Sequence, residues 1–505
     1  MSAAQHPDNQ QEERISTGNA GLDDILGGGL DADRLYLYEG QPGAGKTTLA
    51  LEFLLEGARR GERVLYITLS ETERELRLVV RRHGWDLAGV EIVELVPAET
   101  VLDEQHEITL LHPAELELGE TTRLILDRVE SINPSRVVID SLSELRLLAQ
   151  SSLRYRRQVL ALKQFFANRN CTVVLLDDMT AQDNDLQLHS ISHGVVLLEQ
   201  RVIDYGAERR RLRVIKMRGM DFRGGFHDMK IVRGGIEVYP RLVAAEHQAD
   251  FTGEPTPSGV EALDELLGGG LERGTSALFV GPAGVGKSTL AMTYAMAATD
   301  RGERSAIFAF DEGSATIEAR ASAVGMRLPE AIADGRVLFQ QIDPAEMSPG
   351  EFASIVRRRV ERDGARVVII DSLNGYLNAM PEGRFLILQM HELLTYLARQ
   401  GVLTILVLGQ HSVADRGETP LDISYLSDSV LMLRYFEHGG RVRRAVSVTK
   451  KRSGVHEYGI REFRMGAGGI EVGEELLDFS GVLGGSPLYT GSGDGLLPGG
   501  ERAPG

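Results

Sequence analysis

Two stretches of the chain carry the spacing GxxxxGK[ST]: Gly40–Thr47 (GQPGAGKT) and Gly281–Ser288 (GPAGVGKS). The chemistry this pattern serves is the holding of phosphate. Gly40, Gly43 and Gly45 let the backbone wrap so that its N–H groups point at phosphate oxygens, with Ala44 and Thr48 completing the cradle, and the N-terminus of the following helix adds partial positive charge. Lys46 then reaches the β- and γ-phosphates and Thr47 ligates Mg²⁺. Gly281, Gly284, Val285, Gly286, Lys287, Ser288 and Thr289 repeat these roles. Each match follows an apolar strand and opens a helix, the context that separates a P-loop from a Gly-rich turn with a surface lysine.

A Mg-bound nucleotide also calls for a carboxylate at the end of a neighbouring buried strand, and Asp140 in VVIDS and Asp371 in VVIIDS supply one. The competing role for such an aspartate is a helix cap. Hydrolysis further needs a group that orients or deprotonates water. RVLYITL runs into Ser70-Glu71 and SAIFAF into Asp311-Glu312, so Glu71, Glu312 and Asp311 are candidate catalytic groups at strand ends beside the loops. The alternative is a solvated glutamate at a helix start. Lys216 and Arg218 (IKMRG) and Lys450 and Arg452 (TKKRS) either reach a neighbouring subunit's γ-phosphate or sit on an exposed edge. Arg209, Arg210 and Arg211, like Arg357, Arg358 and Arg359, read as solvated faces. None of the 12 histidines falls in an HExxH-type metal spacing.

The elements that must position these groups occur twice. LDDILGGGL at Leu22 returns as LDELLGGGL at Leu263, and the P-loop at Gly40 returns at Gly281, both shifted by 241 residues; Asp140 returns at Asp371, shifted by 231. The first copy therefore holds about ten more residues in between, and a prior of three domains from length becomes two. We place the first domain at 13–246, the second at 247–480, and a flexible Gly-rich tail at 481–505, whose composition buries too little apolar area to offset ordering entropy. Within each copy, apolar strand runs alternate with helical stretches, expected at Lys46–Arg60, around 74–83 and around 155–168. That alternation predicts an α/β fold with a mostly parallel sheet flanked by helices. Each copy then ends in antiparallel hairpin strands, the first turning near 205–208 and the second within VLMLRYFEHGGRVRRAVSVTKKR.

Hydrophobic residues at 42% and charged residues at 25% exclude a disordered or fibrous chain. With 73 acidic against 55 basic side chains, a net charge of −18 argues against a broad surface for duplex DNA or anionic membrane. The single cysteine, Cys171, excludes an internal disulfide and a CxxC site, so any metal sits on oxygen. No run approaches the roughly 18 apolar residues of a membrane span, and the first residues lack an apolar signal core; the expected address is the cytoplasm.

With LDxxLGGGL, the P-loop, the strand-end glutamate, VVIDS and the KMRG segment in this order, twice, the chain resembles the KaiC family, RecA-superfamily ATPases with tandem domains. The resemblance runs from Arg14 to about Phe479, and ERRRLRVIKMRG and VTKKRSGVHEYGIREF are its most specific parts. It implies two tandem RecA-like P-loop NTPase domains, ATP and Mg²⁺ as ligands, and a two-tiered homohexamer with ATP between subunits. It further implies slow ATPase activity in both tiers and, in clock members, autophosphorylation in the second domain. The family's paired glutamates fall on Ser70-Glu71 and Asp311-Glu312, so only the second of each pair matches. Its adjacent Ser-Thr phosphosites fall on Ser424-Tyr425: Ser424 matches, whereas a phenol reaches farther from the backbone than a threonine hydroxyl. The leading expectation is an ATP-hydrolysing signalling protein with Ser/Thr autokinase activity at Ser424 and protein partners. Against it stand a DNA-dependent motor of the same superfamily, disfavoured by charge, and a nucleotide-gated scaffold with little turnover, disfavoured by Glu71 and Glu312.

Overall fold

The computed structural model describes residues 14–95, 113–179, 186–202, 206–377, 383–409, 424–482 and 488–489. The chain divides after Arg241 into two compact units. The first begins with β1 (Arg14–Ile15), α1 (Ala20–Ile25) and β2 (Leu30–Asp31). The alternating part follows as β3 (Leu35–Gly40), α2 (Lys46–Arg59), β4 (Val64–Thr68), α3 (Glu73–His83), β5 (Val90–Glu94), α4 (Pro113–Ile132) and β6 (Arg136–Asp140). It continues through α5 (Leu142–Ala149), α6 (Ser152–Ala167), β7 (Thr172–Asp177) and α7 (Leu186–Ile191). Strands β8 (Gly194–Arg201), β9 (Arg209–Met217), β10 (His227–Val232) and β11 (Gly235–Tyr239) close the unit.

These strands make one nine-stranded sheet in the order β11-β10-β9-β8-β3-β7-β6-β4-β5. It is parallel from β8 to β5 and antiparallel from β8 to β11. The central strands read as continuous apolar runs because both faces are covered. Alternate side chains go to opposite layers: Tyr36 and Tyr38 pack with Leu49 and Phe53 of α2, while Leu35 and Leu37 pack with Val159 and Leu162 of α6. The predicted α/β architecture with added antiparallel strands is the one observed, and it is the RecA-like arrangement.

The second unit repeats it. After β12 (Pro255–Thr256), α8 (Glu261–Leu266) and β13 (Leu271–Glu272) come β14 (Ser276–Gly281), α9 (Lys287–Asp300), β15 (Arg304–Ala309), α10 (Ser314–Ala323) and α11 (Leu328–Ala333). Then follow β16 (Val337–Gln341), α12 (Pro349–Glu361), β17 (Ala365–Asp371), α13 (Leu373–Leu377), α14 (Gly383–Arg399) and β18 (Leu403–Gly409). The closing strands are β19 (Ser429–His438), β20 (Arg441–Lys451), β21 (Ile460–Gly466) and β22 (Gly469–Glu475). The order β22-β21-β20-β19-β14-β18-β17-β15-β16 matches the first sheet strand for strand. The β19–β20 turn is Gly439-Gly440, both with positive φ, as a two-residue hairpin requires. Of the other predicted hairpin turn, Tyr205 lies outside the described residues.

Two expectations are adjusted. Residues from Leu242 to Glu246, assigned to the end of the first repeat, pack in the second unit: Ala244 is buried against α14 and its N–H donates to Glu392. The Gly-rich tail is also not featureless from its start. Val482 is buried, and β23 (Phe479–Ser480) pairs with β24 (Leu488–Tyr489), which brings Phe479 edge-on and Tyr489 at a tilt against the His438 ring. The few apolar residues in this run find a ready platform at the end of β19, which composition alone does not reveal.

Candidate active sites

Each P-loop leaves the C-terminal end of a central strand and enters a buried helix. Gly45 and Gly286 are the residues before those helices, at φ 105° and 111°, a left-handed conformation that side chains resist. Neither helix has a side-chain cap, so the first N–H groups of α2 and α9 stay available to an anion. Ala44 and Val285 are fully buried and anchor the loops to the core, and Thr48 and Thr289 are buried too. Their side chains are taken up by the core, so any nucleotide contact from these four residues would come from their backbones.

In the first copy, Thr47 Oγ1 donates to Asp140 Oδ2 at 3.1 Å, although β7 separates the P-loop strand from β6 in the sheet. The Tyr66 hydroxyl donates to the same carboxylate oxygen. Burial pushes the Asp140 carboxyl upward, while the hydrogen bonds from Tyr66 and Thr47 oppose the shift. Lys46 Nζ donates to the carbonyls of Gly40 (2.8 Å) and Gln41 (3.1 Å) and lies 2.9 Å from Asp178 Oδ1. The turn carrying Glu71 is tied to the β6 end by Leu69 N–H to the Asp140 carbonyl, 2.6 Å, and is pinned by Thr68, whose hydroxyl accepts from Glu71 N–H at 3.0 Å. Glu71 Oε2 is buried and makes no hydrogen bond. Burial, then the charges of Asp140, Glu75 and Asp178, raise its carboxyl. Ser70 beside it is exposed.

The second copy assembles the same parts. Burial pushes the Asp371 carboxyl upward while the neighbouring Ser288 hydroxyl opposes the shift, and Phe310 N–H donates to the Asp371 carbonyl at 2.7 Å. Lys287 Nζ donates to the Pro282 carbonyl at 2.9 Å, and burial pushes its ammonium downward. Ser372 Oγ donates to Asp311, so Asp311 faces the β17 end. Glu312 differs from Glu71: its Oε1 accepts from Arg320 Nη1 at 2.8 Å, and its Oε2 lies 2.6 Å from Nη2 in an ionic contact outside hydrogen-bond alignment.

The candidate trans contacts lie at the opposite edge of the sheet. Met217 pairs with Gly194 and Gly194 with Tyr36, near the start of β3, whereas the P-loop begins at its end. Lys216 Nζ donates to the carbonyls of His189 and Ser192, and Arg218 to that of Ser190. In the second copy Lys450 donates to the Ser427 carbonyl at 2.7 Å, and Arg452 to Asp428 (3.2 Å) and the Tyr425 carbonyl (3.0 Å). None of the four reaches its own P-loop. Ser424 opens the 3₁₀ turn Ser424–Leu426 that Arg452 grips.

Sequence reasoning overlooked several participants. Asp178, which follows β7, has its counterpart at Gly409 at the end of β18, so no carboxylate meets Lys287 from that position. Arg320 was invisible because its partner lies eight residues away around a turn and a helix. The arginine triplet is not a uniformly solvated face: Arg209 is buried, Arg210 Nε donates to the Gly43 carbonyl at 3.1 Å, and Arg211 pairs with Glu199 and covers Phe226. On α12 the other triplet is as expected, with Arg357 and Arg359 in pairs to Glu361 and Asp363.

The donors available to a cation here, a hydroxyl and a carboxylate in each copy, are all oxygen and fit Mg²⁺, which keeps water and substrate phosphates as its remaining ligands. Among the described residues no cluster of three or more His, Cys, Asp or Glu side chains could hold a metal unaided, and no helix is long and apolar enough to cross a membrane.

A family model described as "ATPase: KaiC" matches residues 15–243 and again 256–476. The chain is 26% identical over 493 residues to the circadian clock protein KaiC3 of Synechocystis sp., with 95% of each chain covered. It is 27% identical over 492 residues to the circadian clock oscillator protein KaiC of Picosynechococcus sp., covering 94% of this chain and 92% of the relative. The corresponding protein of Synechococcus elongatus is 26% identical over 497 residues, covering 95% and 94%.

Proposed function

The chain belongs to the KaiC family of ATPases, and on that premise we propose that it binds Mg-ATP at both P-loops, hydrolyses it, and signals through its nucleotide state to protein partners in the manner of a clock-type protein. The observation that carries this reading is the constellation built twice: a P-loop hydroxyl beside a strand-end aspartate, with a glutamate on the next strand end.

In this reading Lys46 and Lys287 leave their carbonyl partners for the β- and γ-phosphates, and the uncapped N–H groups of α2 and α9 hold the phosphate oxygens. Thr47 with Asp140, and Ser288 with Asp371, hold Mg²⁺, which when bound neutralises charge developing on the phosphate. Glu71 and Glu312 orient water for in-line attack and accept its proton. Lys216, Arg218, Lys450 and Arg452 face away from their own loops, which supports a role at a neighbouring subunit's ATP in a homohexamer. Ser424 is the candidate acceptor of a phosphoryl group in the second domain, supported by its place on the turn gripped by Arg452. The net charge of −18 continues to disfavour the DNA-dependent alternative.

The test is incubation of purified protein with Mg-ATP, reading ADP release and intact mass for wild type, Lys46→Ala, Lys287→Ala and Ser424→Ala. ADP release that falls in each lysine variant supports two working sites. A phosphate-sized mass gain lost in Lys287→Ala and Ser424→Ala establishes the autokinase. ADP without a mass gain removes the kinase, and no ADP at all leaves a scaffold.

A further inference from the structure

The two water-activating candidates occupy equivalent positions and have opposite surroundings. Glu71 Oε2 is buried without a hydrogen bond, and the charges acting on it, Asp140, Glu75 and Asp178, are all negative. Glu312 faces a positive charge instead: its Oε1 accepts a hydrogen bond from Arg320, two turns along α10, and its Oε2, though without a hydrogen bond, lies 2.6 Å from the same guanidinium. Helices α3 and α10 keep the shift of 241 residues, from the Gly84 that ends one to the Gly325 that follows the other, so the position of Arg320 is held by Val79 in the first copy. The same guanidinium acts on Asp371, opposing the charges of Glu312 and Asp311. A carboxylate accepts a proton from water only through an oxygen turned towards that water, and one hydrogen bond with an ionic contact beside it on the same guanidinium restricts this freedom.

We propose that Arg320 is a positioning residue that holds Glu312 in an ion pair and restrains ATP hydrolysis at the second site. This rests on the reading of Glu312 as the group that activates water. The pair is half-exposed, with side-chain exposures of 30% and 37%, so the restraint is modest, and its release raises turnover by about three-fold, the scale of an exposed ion pair.

The experiment uses the full-length chain with hydrolysis at the first site silenced by Glu71→Gln. Steady-state ADP release is compared in E71Q, E71Q/R320M, E71Q/R320K, E71Q/E312Q and E71Q/R320M/E312Q. The expected result is a kcat for E71Q/R320M about three-fold above E71Q with an unchanged KM for ATP, because the arginine bears on water and not on the nucleotide. Lysine keeps the charge and loses the guanidinium's second contact, so E71Q/R320K gains less; it also serves as the deciding variant if methionine perturbs folding by thermal melting. Adding E312Q abolishes the gain. A kcat in E71Q/R320M or E71Q/R320K at or below that of E71Q, in folded protein, overturns the restraint while leaving the ATPase reading intact. Equal turnover in wild type and E71Q/E312Q instead shows that the glutamates do not activate water, and the restraint falls with them.

Discussion

Lys46 Nζ stands 2.9 Å from Asp178 Oδ1, whereas Lys287, its equivalent, meets the carbonyl of Pro282 and finds Gly409 where the aspartate would be. In the proposed function the first P-loop lysine parts from a carboxylate to hold phosphate, and the second does not.

Removing that competitor strengthens nucleotide binding at the first site. Asp178→Asn keeps the shape that Ser141 and Ser143 contact, at 3.2 and 3.4 Å. Titration of a fluorescent, non-hydrolysable ATP analogue into an Asp178→Asn protein should give a first-site Kd about three-fold tighter. Weaker binding would mean that Asp178 serves the nucleotide or its metal.

Gly286→Ala should unmake the second site. The added methyl would stand 2.6 Å from Met465 Sδ at a φ of 111°. A left-handed non-glycine residue costs about 1–3 kcal/mol. The expected outcome is a lower melting temperature with loss of analogue binding at the second site only. Unchanged binding would show that the loop tolerates a different path.

Glu52 gives a pH signature in the first unit. It accepts from Asn19 Nδ2 (2.9 Å) and Ile236 N–H (2.7 Å), yet burial pushes its carboxyl from 4.5 up to about 7. The folded state holds this proton more tightly than the unfolded chain. Its contribution to stability is thus complete below pH 4.5 and is lost as pH rises through about 7. His227, pushed down to about 4 by burial, slopes the other way, so wild type alone conceals the effect. The difference in unfolding free energy between wild type and Glu52→Gln should fall by about 3 kcal/mol from pH 4.5 to 7.5. Parallel curves in urea would contradict the assignment.

The trans reading of the basic pairs predicts coupling between assembly and turnover. Arg218→Ala, in protein whose second site is silenced by Glu312→Gln, and Arg452→Ala, in protein whose first site is silenced by Glu71→Gln, should each lower the remaining ATP turnover about ten-fold or more, as removal of a finger does. ATP-dependent assembly followed by light scattering should weaken with them. Turnover equal to wild type would return these residues to a purely structural role, bracing the 189–192 and 425–428 turns.

Much of this was legible in the chain. The P-loops, Asp140 and Asp371, and the alternation that gives a parallel sheet are local: glycine at fixed spacing permits one backbone path, and a run such as VVIID has no place except a strand covered on both faces. Glu71 and Glu312 were legible for the same reason, as residues that end an apolar run.

The sequence by itself determined the repeat, the fold class and the P-loop pattern, because each is written in local segments of about ten residues, wherever in the chain those segments stand. Only the tertiary structure decided how the two sites differ. Asp178 meets Lys46 because β7 lies between the P-loop strand and β6, and Arg320 meets Glu312 because a turn folds α10 back over the strand end. Packing likewise decided that Val482 and Tyr489 leave the tail for β19. Such pairings depend on strand order and helix facing, which bring together residues that no local pattern associates.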